Sequence, residues 1–139
     1  MKPKLIIFEG VDKSGKTSLK VEFNNKTNYR YWVLDRSIIS SIVYDSVYHR
    51  DNLSYLEDCL FALKKSFNLK VILCTAEKTI IESRLEFANE TLPNELKDIS
   101  KIQKLFKKVL DDYIDDYIVI NTKNDISSCI SDILNFVEA

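Results

Sequence analysis
Apolar positions along this chain follow two rhythms. Short continuous runs mark one kind of element: Lys4-Leu5-Ile6-Ile7-Phe8-Glu9, Asn68-Leu69-Lys70-Val71-Ile72-Leu73-Cys74 and Tyr117-Ile118-Val119-Ile120. Runs this short, rich in β-branched residues, predict strands buried on both faces. The aromatic stretch Tyr31 to Asp35 predicts a fourth strand and places Trp32 in the core. Between the strands, apolar residues recur three or four positions apart, the spacing of one helix face. Leu19 and Phe23 mark a helix over Gly15 to Asn25, and Ile38, Ile42 and Val43 one over Ser37 to His49. Leu56, Cys59, Leu60 and Leu63 mark a third, ending near Ser66, with Ser54 and Glu57 as its capping box. Ile80, Ile81 and Leu85 face inward from Glu77 to Ala88, and Asn89 to Asp98, with Pro93, reads as a loop. Ser100 to Tyr113 is amphipathic: Ile102, Phe106, Val109, Leu110 and Tyr113 oppose a solvated face of Lys101, Lys104, Lys107 and Lys108. Asp125 to Val137 forms the last helix, with Ile126, Cys129, Ile130, Ile133 and Leu134 apolar. Strands that alternate with helices predict an α/β fold: a mainly parallel sheet covered by helices on both faces.

One turn in this pattern carries chemistry. The first strand and first helix are joined by Gly10-Val11-Asp12-Lys13-Ser14-Gly15-Lys16-Thr17, which matches G-x-x-x-x-G-K-[ST], the P-loop pattern. The chain has only two glycines, and both occupy the glycine positions of this motif. Loop amides and an open helix N-terminus bind phosphate oxygens, and glycine lets the backbone come close. In such a loop the lysine, here Lys16, reaches the β- and γ-phosphates, and the hydroxyl, here Thr17, ligates Mg²⁺. The fold expected is therefore a P-loop NTPase-type three-layer sandwich. A second constellation ends the predicted second strand: Asp35-Arg36-Ser37. Functional residues of open α/β sheets gather at the carboxyl ends of strands. Asp35 there can hold Mg²⁺ directly or through water, and the planar fork of Arg36 can clamp a second phosphate.

Composition narrows the field. The chain has 139 residues, 45% hydrophobic and 29% charged, with a net charge of −1. That length and profile predict one globular domain, 1–139, with no basic excess for nucleic acid. No apolar stretch reaches the ~18 residues of a membrane span. Met1-Lys2-Pro3 leads straight into the first strand, which argues against a signal peptide. Cys59, Cys74 and Cys129 lie far apart in apolar runs and read as buried thiols of a reducing, cytoplasmic compartment. The lone His49 has no partner at metal-ligand spacing.

Taken with its flanks, the sequence resembles the thymidylate kinase family of P-loop nucleotide kinases. Phe8-Glu9-Gly10-Val11-Asp12-Lys13-Ser14-Gly15-Lys16-Thr17 is similar to the family's E-G-x-D…G-K-[ST] loop. Asp35 to Tyr44 is similar to its D-R-Y-x-x-S-x-x-A-Y segment, matching at Asp35, Arg36, Ser40 and Tyr44; Ser37 and Val43 stand where the family has Tyr and Ala. Val119-Ile120-Asn121-Thr122-Lys123-Asn124 resembles its last strand and adenine loop, and the helix carrying Arg84 its approach to a lid, here short, about 86–99.

The resemblance implies a nucleoside triphosphate donor, ATP, with Mg²⁺, and a nucleoside monophosphate acceptor, with dTMP converted to dTDP. It implies that Gly10, Asp12, Lys13, Ser14, Gly15, Lys16, Thr17 and Ser18 hold the phosphates, with Arg84, Asn121 and Lys123 on the donor side. It implies that Thr17 and Asp35 serve the metal, and that Asp12, Arg36, Ser40 and Tyr44 line the acceptor site, with Asp12 at the sugar. Lys16, Lys13, Asp35 and Arg36 would carry catalysis. Lys13 matches members that place a cation inside the loop, and 86–93 contains no Lys or Arg that could act from the lid.

One departure stands out. Asp35 follows Lys16 by only 19 positions (35 − 16), so the acceptor region, about 18–34, is reduced and lacks the family's R-E-P motif and one strand. A homodimer could complete such a pocket. Three other readings fit the same residues. One is a catalytically inactive descendant that binds a nucleotide or a partner. Another is a deoxynucleoside kinase, whose motif Asp-Arg-Ser also resembles. The last is an NTPase, which needs a positioned water and a sensor that the sequence does not reveal.

Overall fold
The computed structural model describes residues 1–139. Strands β1 (Lys4–Glu9), β2 (Trp32–Asp35), β3 (Asn68–Thr75) and β4 (Tyr117–Asn121) form one sheet in the order β2-β1-β3-β4. Every pairing is parallel. The helices are α1 (Lys16–Lys26), α2 (Ile38–Val47), α3 (Leu53–Ser66), α4 (Lys78–Phe87), α5 (Ile99–Tyr113) and α6 (Ile126–Glu138). A single 3-10 turn, Asn94–Leu96, interrupts the 89–98 stretch.

Strand side chains alternate between the two faces of a sheet, so each run of apolar residues feeds two cores. Leu5, Ile7, Val71 and Leu73 join a core with Ile39, Ile42, Leu60, Ile81, Phe106 and Leu110, from α2, α3, α4 and α5. Ile6, Phe8, Ile72 and Cys74 join the opposite core with Leu19 and Phe23 of α1 and Cys129, Ile130 and Ile133 of α6. The sheet is thus the middle of three α/β layers, as the run pattern predicts. The lysine face of α5 is solvated, and Lys107 and Lys108 pair with Asp111 and Asp112 one turn on.

Three local expectations need correction. Trp32 is 63% exposed, because β2 is an edge strand; it leans on Phe67 with ring centroids 5.6 Å apart. Ser54 does not open α3, which starts at Leu53 behind Asn52. Glu57 instead accepts the Tyr113 hydroxyl at 2.7 Å, tying α3 to α5. Cys59 is only half-buried, whereas Cys74 and Cys129 are buried, and burial pushes the Cys74 thiol up to about 12.

The chain order fixes where a site can form. The path runs from β1 outward to β2, then crosses back past β1 to β3. Loops after β1 and β3 therefore leave in opposite directions and open a crevice at their carboxyl ends. The register sets Phe8 beside Asp35 and Glu9 beside Leu73, so the loop after β1 and the Asp35-Arg36 turn share that edge.

Burial separates two aromatic truncations. Phe23 is fully buried, with Phe8 and Tyr31 ring centroids each 5.8 Å away. Phe23→Ala is expected to cost about 3–5 kcal/mol of unfolding free energy in urea titration. Trp32→Ala, at the open edge, is expected to cost less than about 1 kcal/mol.

Candidate functional site
The loop after β1 wraps the start of α1. Gly10 has φ +144°, and a Cβ there would lie 2.5 Å from the carbonyl oxygen of Cys74. Gly15 has φ +89°, and a Cβ there would meet the Thr122 side chain at 2.8 Å. A larger residue at either position would strain the backbone and force its neighbours to shift, and the loop lies flush against the ends of β3 and β4. Lys13 and Arg36 also hold left-handed backbone, φ 63° and 70°. Each such residue costs about 1–3 kcal/mol, a cost borne where surrounding contacts over-determine the backbone.

Helix α1 begins with open donors. No side chain caps it, and its first backbone bond runs from the Leu19 N–H to the Gly15 carbonyl. The amides of Gly15, Lys16, Thr17 and Ser18 therefore have no protein acceptor. The Ser14 hydroxyl oxygen is buried and without a hydrogen-bond partner. Unpaired amides at a positive helix end, beside an orphaned buried hydroxyl, fit a bound phosphate chain. The surrounding cavity is about 660 Å³, and its lining includes Asp12, Lys13, Ser18, Arg84, Thr122 and Asn124.

The cations that could meet phosphate are held by carboxylates. Lys16 Nζ donates to Asp35 Oδ1 at 2.7 Å, and Lys20 Nζ to Asp35 Oδ2 at 3.3 Å. Partial burial pushes the Asp35 carboxyl up, but the bonds and charges of Lys16 and Lys20 outweigh it and hold its pKa below the ordinary value. Arg36 Nη2 donates to Asp12 at 2.6 Å, and Arg36 Nη1 to the Tyr44 hydroxyl at 3.4 Å. Lys13 Nζ lies 3.3 Å from Glu90, on the segment that follows α4. Arg84 donates to the Lys13 carbonyl at 2.7 Å and to the Thr122 hydroxyl at 3.4 Å, clamping the loop to the end of β4. Thr17, at the mouth of α1, and Asp35 supply the hydroxyl and carboxylate oxygens that hard cations prefer.

A second cavity, about 670 Å³, opens on the other side of Asp12. Arg36, Ser40 and Tyr44 line it, together with Ser37, Ser41, Asp45, Tyr48, Arg50 and Asn52. The two cavities share Asp12 as a common wall. Asn121 and Lys123 do not line either one. Asn121 accepts the Lys123 amide at 3.0 Å, and the Lys123 side chain reaches Glu77 at 3.7 Å. Their neighbours Thr122 and Asn124 face the first cavity instead.

Glu9 matches the first position of the E-G-x-D pattern but carries no role in the sequence reading. It is fully buried at the end of β1. Its carboxylate accepts the Ser37 hydroxyl at 2.6 Å, the Ser40 amide at 3.2 Å and, closer still, the Ser40 hydroxyl. Burial raises its pKa above the ordinary 4.5, and the Ser37 and Ser40 bonds and the Arg36 charge only partly offset this. A charged residue closing an otherwise apolar strand is the sequence signal that could have found it. Through Glu9, the strand that launches the loop grips the start of α2.

A titration can read the Glu9 environment. A carboxyl whose pKa is raised by folding contributes stability in full below the unfolded value, and that contribution is lost as pH rises through the folded value. The stability of wild type relative to Glu9→Gln is expected to fall from about pH 4.5 upward, measured by urea unfolding across pH. A flat difference would contradict the buried, raised carboxyl. Gly15→Ala is expected to fold yet lose nucleotide binding by isothermal titration, because its Cβ would push against Thr122.

No helix is long and apolar enough to cross a membrane, and no cluster of three or more His, Cys, Asp or Glu side chains could hold a metal by itself. No protein-family model matches the chain. No curated protein matches it. Solved structures do resemble its fold. The YorR protein of Bacillus subtilis, in complex with phosphorylated GDP, is 20% identical with a TM-score of 0.71, over 96% of this chain and 95% of that one. Deoxyadenosine kinase from M. mycoides with products dCMP and a flexible dCDP is 13% identical with a TM-score of 0.64, over 94% and 97%. The same kinase with bound dATP is 15% identical with a TM-score of 0.61, over 97% and 100%. None of these is described as a thymidylate kinase. At these identities the chain shares a fold with solved nucleotide-binding proteins, a deoxyadenosine kinase among them.

Proposed function
We propose that this protein is a nucleotide kinase that transfers the γ-phosphoryl group of ATP to a nucleoside monophosphate. The observation that carries this is the pair of cavities meeting at Asp12, one built on the loop amides and Lys16, the other on Arg36. A hydrolase needs one phosphate site and a held water; a kinase needs two nucleotide sites that meet. The arginine lining the second cavity favours an acceptor that already carries a phosphate over a bare nucleoside. The cavity is lined by Asp12 of the P-loop, by α2 and its flanks, and by Leu56 and Leu96.

In this reading the amides of residues 15–18 and the Ser14 hydroxyl hold the donor phosphates. Lys16 leaves Asp35 for the β- and γ-phosphates, an exchange of one anion for another that keeps its charge compensated. Arg36 likewise leaves Asp12 for the acceptor phosphate, and Asp12 is freed for the sugar. Thr17 and Asp35 would hold Mg²⁺, which would supply charge neutralisation of the phosphates. Lys13 lies on the loop beside the donor cavity, where a cation offsets charge on the transferring group. Arg84 keeps the Lys13 carbonyl and the Thr122 hydroxyl together, and so keeps the loop closed on the nucleotide. Catalysis is then positioning and electrostatics, which is most of what phosphoryl transfer asks of a protein.

The test is transfer of label from ATP to the four deoxynucleoside monophosphates and to thymidine. Lys16→Met is expected to lower kcat by at least about 10³-fold, since it removes a charge on the transferring phosphate. Arg36→Ala is expected to raise the KM for the acceptor monophosphate while leaving ATP affinity within about threefold, if charge on the acceptor is what it reads. ATP binding without transfer to any acceptor would favour an inactive, nucleotide-binding descendant. Transfer to thymidine alone would favour a nucleoside kinase.

A further inference from the structure
Among the acceptor-cavity residues that none of the preceding roles uses, one is a buried carboxylate. Asp45, near the end of α2, is 95% buried, since only 5% of its surface is exposed. Its Oδ1 accepts the Asn52 amide at 3.2 Å, which fixes the turn into α3. Its other oxygen receives no hydrogen bond, and no lysine or arginine pairs with the carboxylate. That oxygen is nevertheless not sealed off, because Ser14 is the only side chain with a solvent-inaccessible unpartnered polar atom. Asp45 lines the second cavity, and only one of its two carboxylate oxygens, Oδ1, is engaged by the protein. A buried carboxylate with an idle acceptor in a ligand cavity is costly unless the ligand brings a donor.

The helix supplies the geometry. Ser37, Ser41, Tyr44, Asp45 and Tyr48 all line the cavity, and their spacing lays them along one face of α2. Arg36 stands just before the helix, and Asp45 eight residues after Ser37 lies about 12 Å further along its axis. That span suits a nucleoside monophosphate lying along α2, with its phosphate at Arg36 and its base edge at Asp45. The walls near Asp45 suit a base. Tyr48 contributes an aromatic ring, one face of which carries the Arg50 guanidinium 4.9 Å from its centroid. Arg50 makes no ion pair, so its donors remain available to a ring acceptor.

We propose that Asp45 selects the acceptor base, taking a hydrogen bond from an exocyclic amino group, so the acceptor is an adenine, cytosine or guanine monophosphate rather than dTMP. The inference rests on the acceptor assignment made above. A carboxylate only accepts. Adenine, cytosine and guanine each carry an amino group on the base edge. Thymine carries carbonyl oxygens at both exocyclic positions, and either would face the carboxylate as a second acceptor. Its one ring N–H lies between those carbonyls. The dTMP preference implied by the sequence resemblance is therefore replaced by selection for an amino-bearing base.

The experiment measures binding and transfer separately. Isothermal titration with dAMP, dCMP, dGMP and dTMP is paired with kcat/KM for each, in wild type and in Asp45→Asn. Asn keeps an oxygen for the Asn52 amide and replaces the free acceptor with a donor. Wild type is expected to favour at least one amino-bearing monophosphate over dTMP by about 10- to 100-fold, the range of a mismatched buried hydrogen bond. Asp45→Asn is expected to lose most of that ratio and to improve on dTMP in relative terms. Selective binding that Asp45→Asn abolishes, without transfer, would support the base assignment and reject the kinase. Preference of wild type for dTMP, or a ratio unchanged in Asp45→Asn, would overturn the assignment even if transfer is robust. Binding of no monophosphate would overturn both. The wild-type ranking decides the matter by itself should Asp45→Asn fold poorly.

Discussion
The Lys16–Asp35 ion pair is the interaction on which the site depends. Its two ends come from different parts of the chain: Lys16 opens α1, and Asp35 closes β2. They meet because Asp35 pairs in register with Phe8, two residues before the loop. The Lys16 side chain is 9% exposed and that of Asp35 30%, so neither charge is fully hydrated. A lysine held this way is already desolvated and aimed. An incoming phosphate replaces a carboxylate rather than a shell of water, which lowers the cost of reorganisation. The same logic recurs at Arg36 with Asp12 and at Lys13 with Glu90. Three cations are each stored against a carboxylate that a more highly charged group can displace.

Glu9 makes these pairs geometrically possible. It binds Ser37 and Ser40, one residue and four residues past the left-handed Arg36. Arg36 in turn donates its amide to the Phe8 carbonyl at 3.0 Å. The Asp35-Arg36-Ser37 turn is thus stitched to β1 from both sides, and the backbone strain at Arg36 is contained by those bonds. Asp35 follows Lys16 by only 19 positions, and that connection delivers Asp35 and Arg36 to the loop.

The strands, the helices and the loop were legible because their signals are local. The two glycines, the apolar runs and the three-to-four spacing each refer to a few neighbouring residues. What was hidden depends on topology. Trp32 reads as core from its strand, yet only the strand order makes that strand an edge. Ser54 has a capping partner in sequence, but Glu57 is drawn across to Tyr113 on α5. Asn121 and Lys123 lie on the expected loop, but the turn directs Thr122 and Asn124 to the cavity. Asp45 looks like an ordinary surface acid until its burial is known, and the bonds linking Glu9 to Ser37 and Ser40 span 28 and 31 positions. The pairing of each cation with a carboxylate is equally invisible, since Asp12 and Arg36 are 24 positions apart.

The most direct measurement is a crystal structure with Mg-ADP and an acceptor monophosphate bound. The account predicts phosphate oxygens on the amides of residues 15–18, with Lys16 Nζ moved from Asp35 onto phosphate and Arg36 moved from Asp12 onto the acceptor. Nucleotide bound elsewhere, or bound in the loop with the Lys16–Asp35 pair still closed, would contradict it.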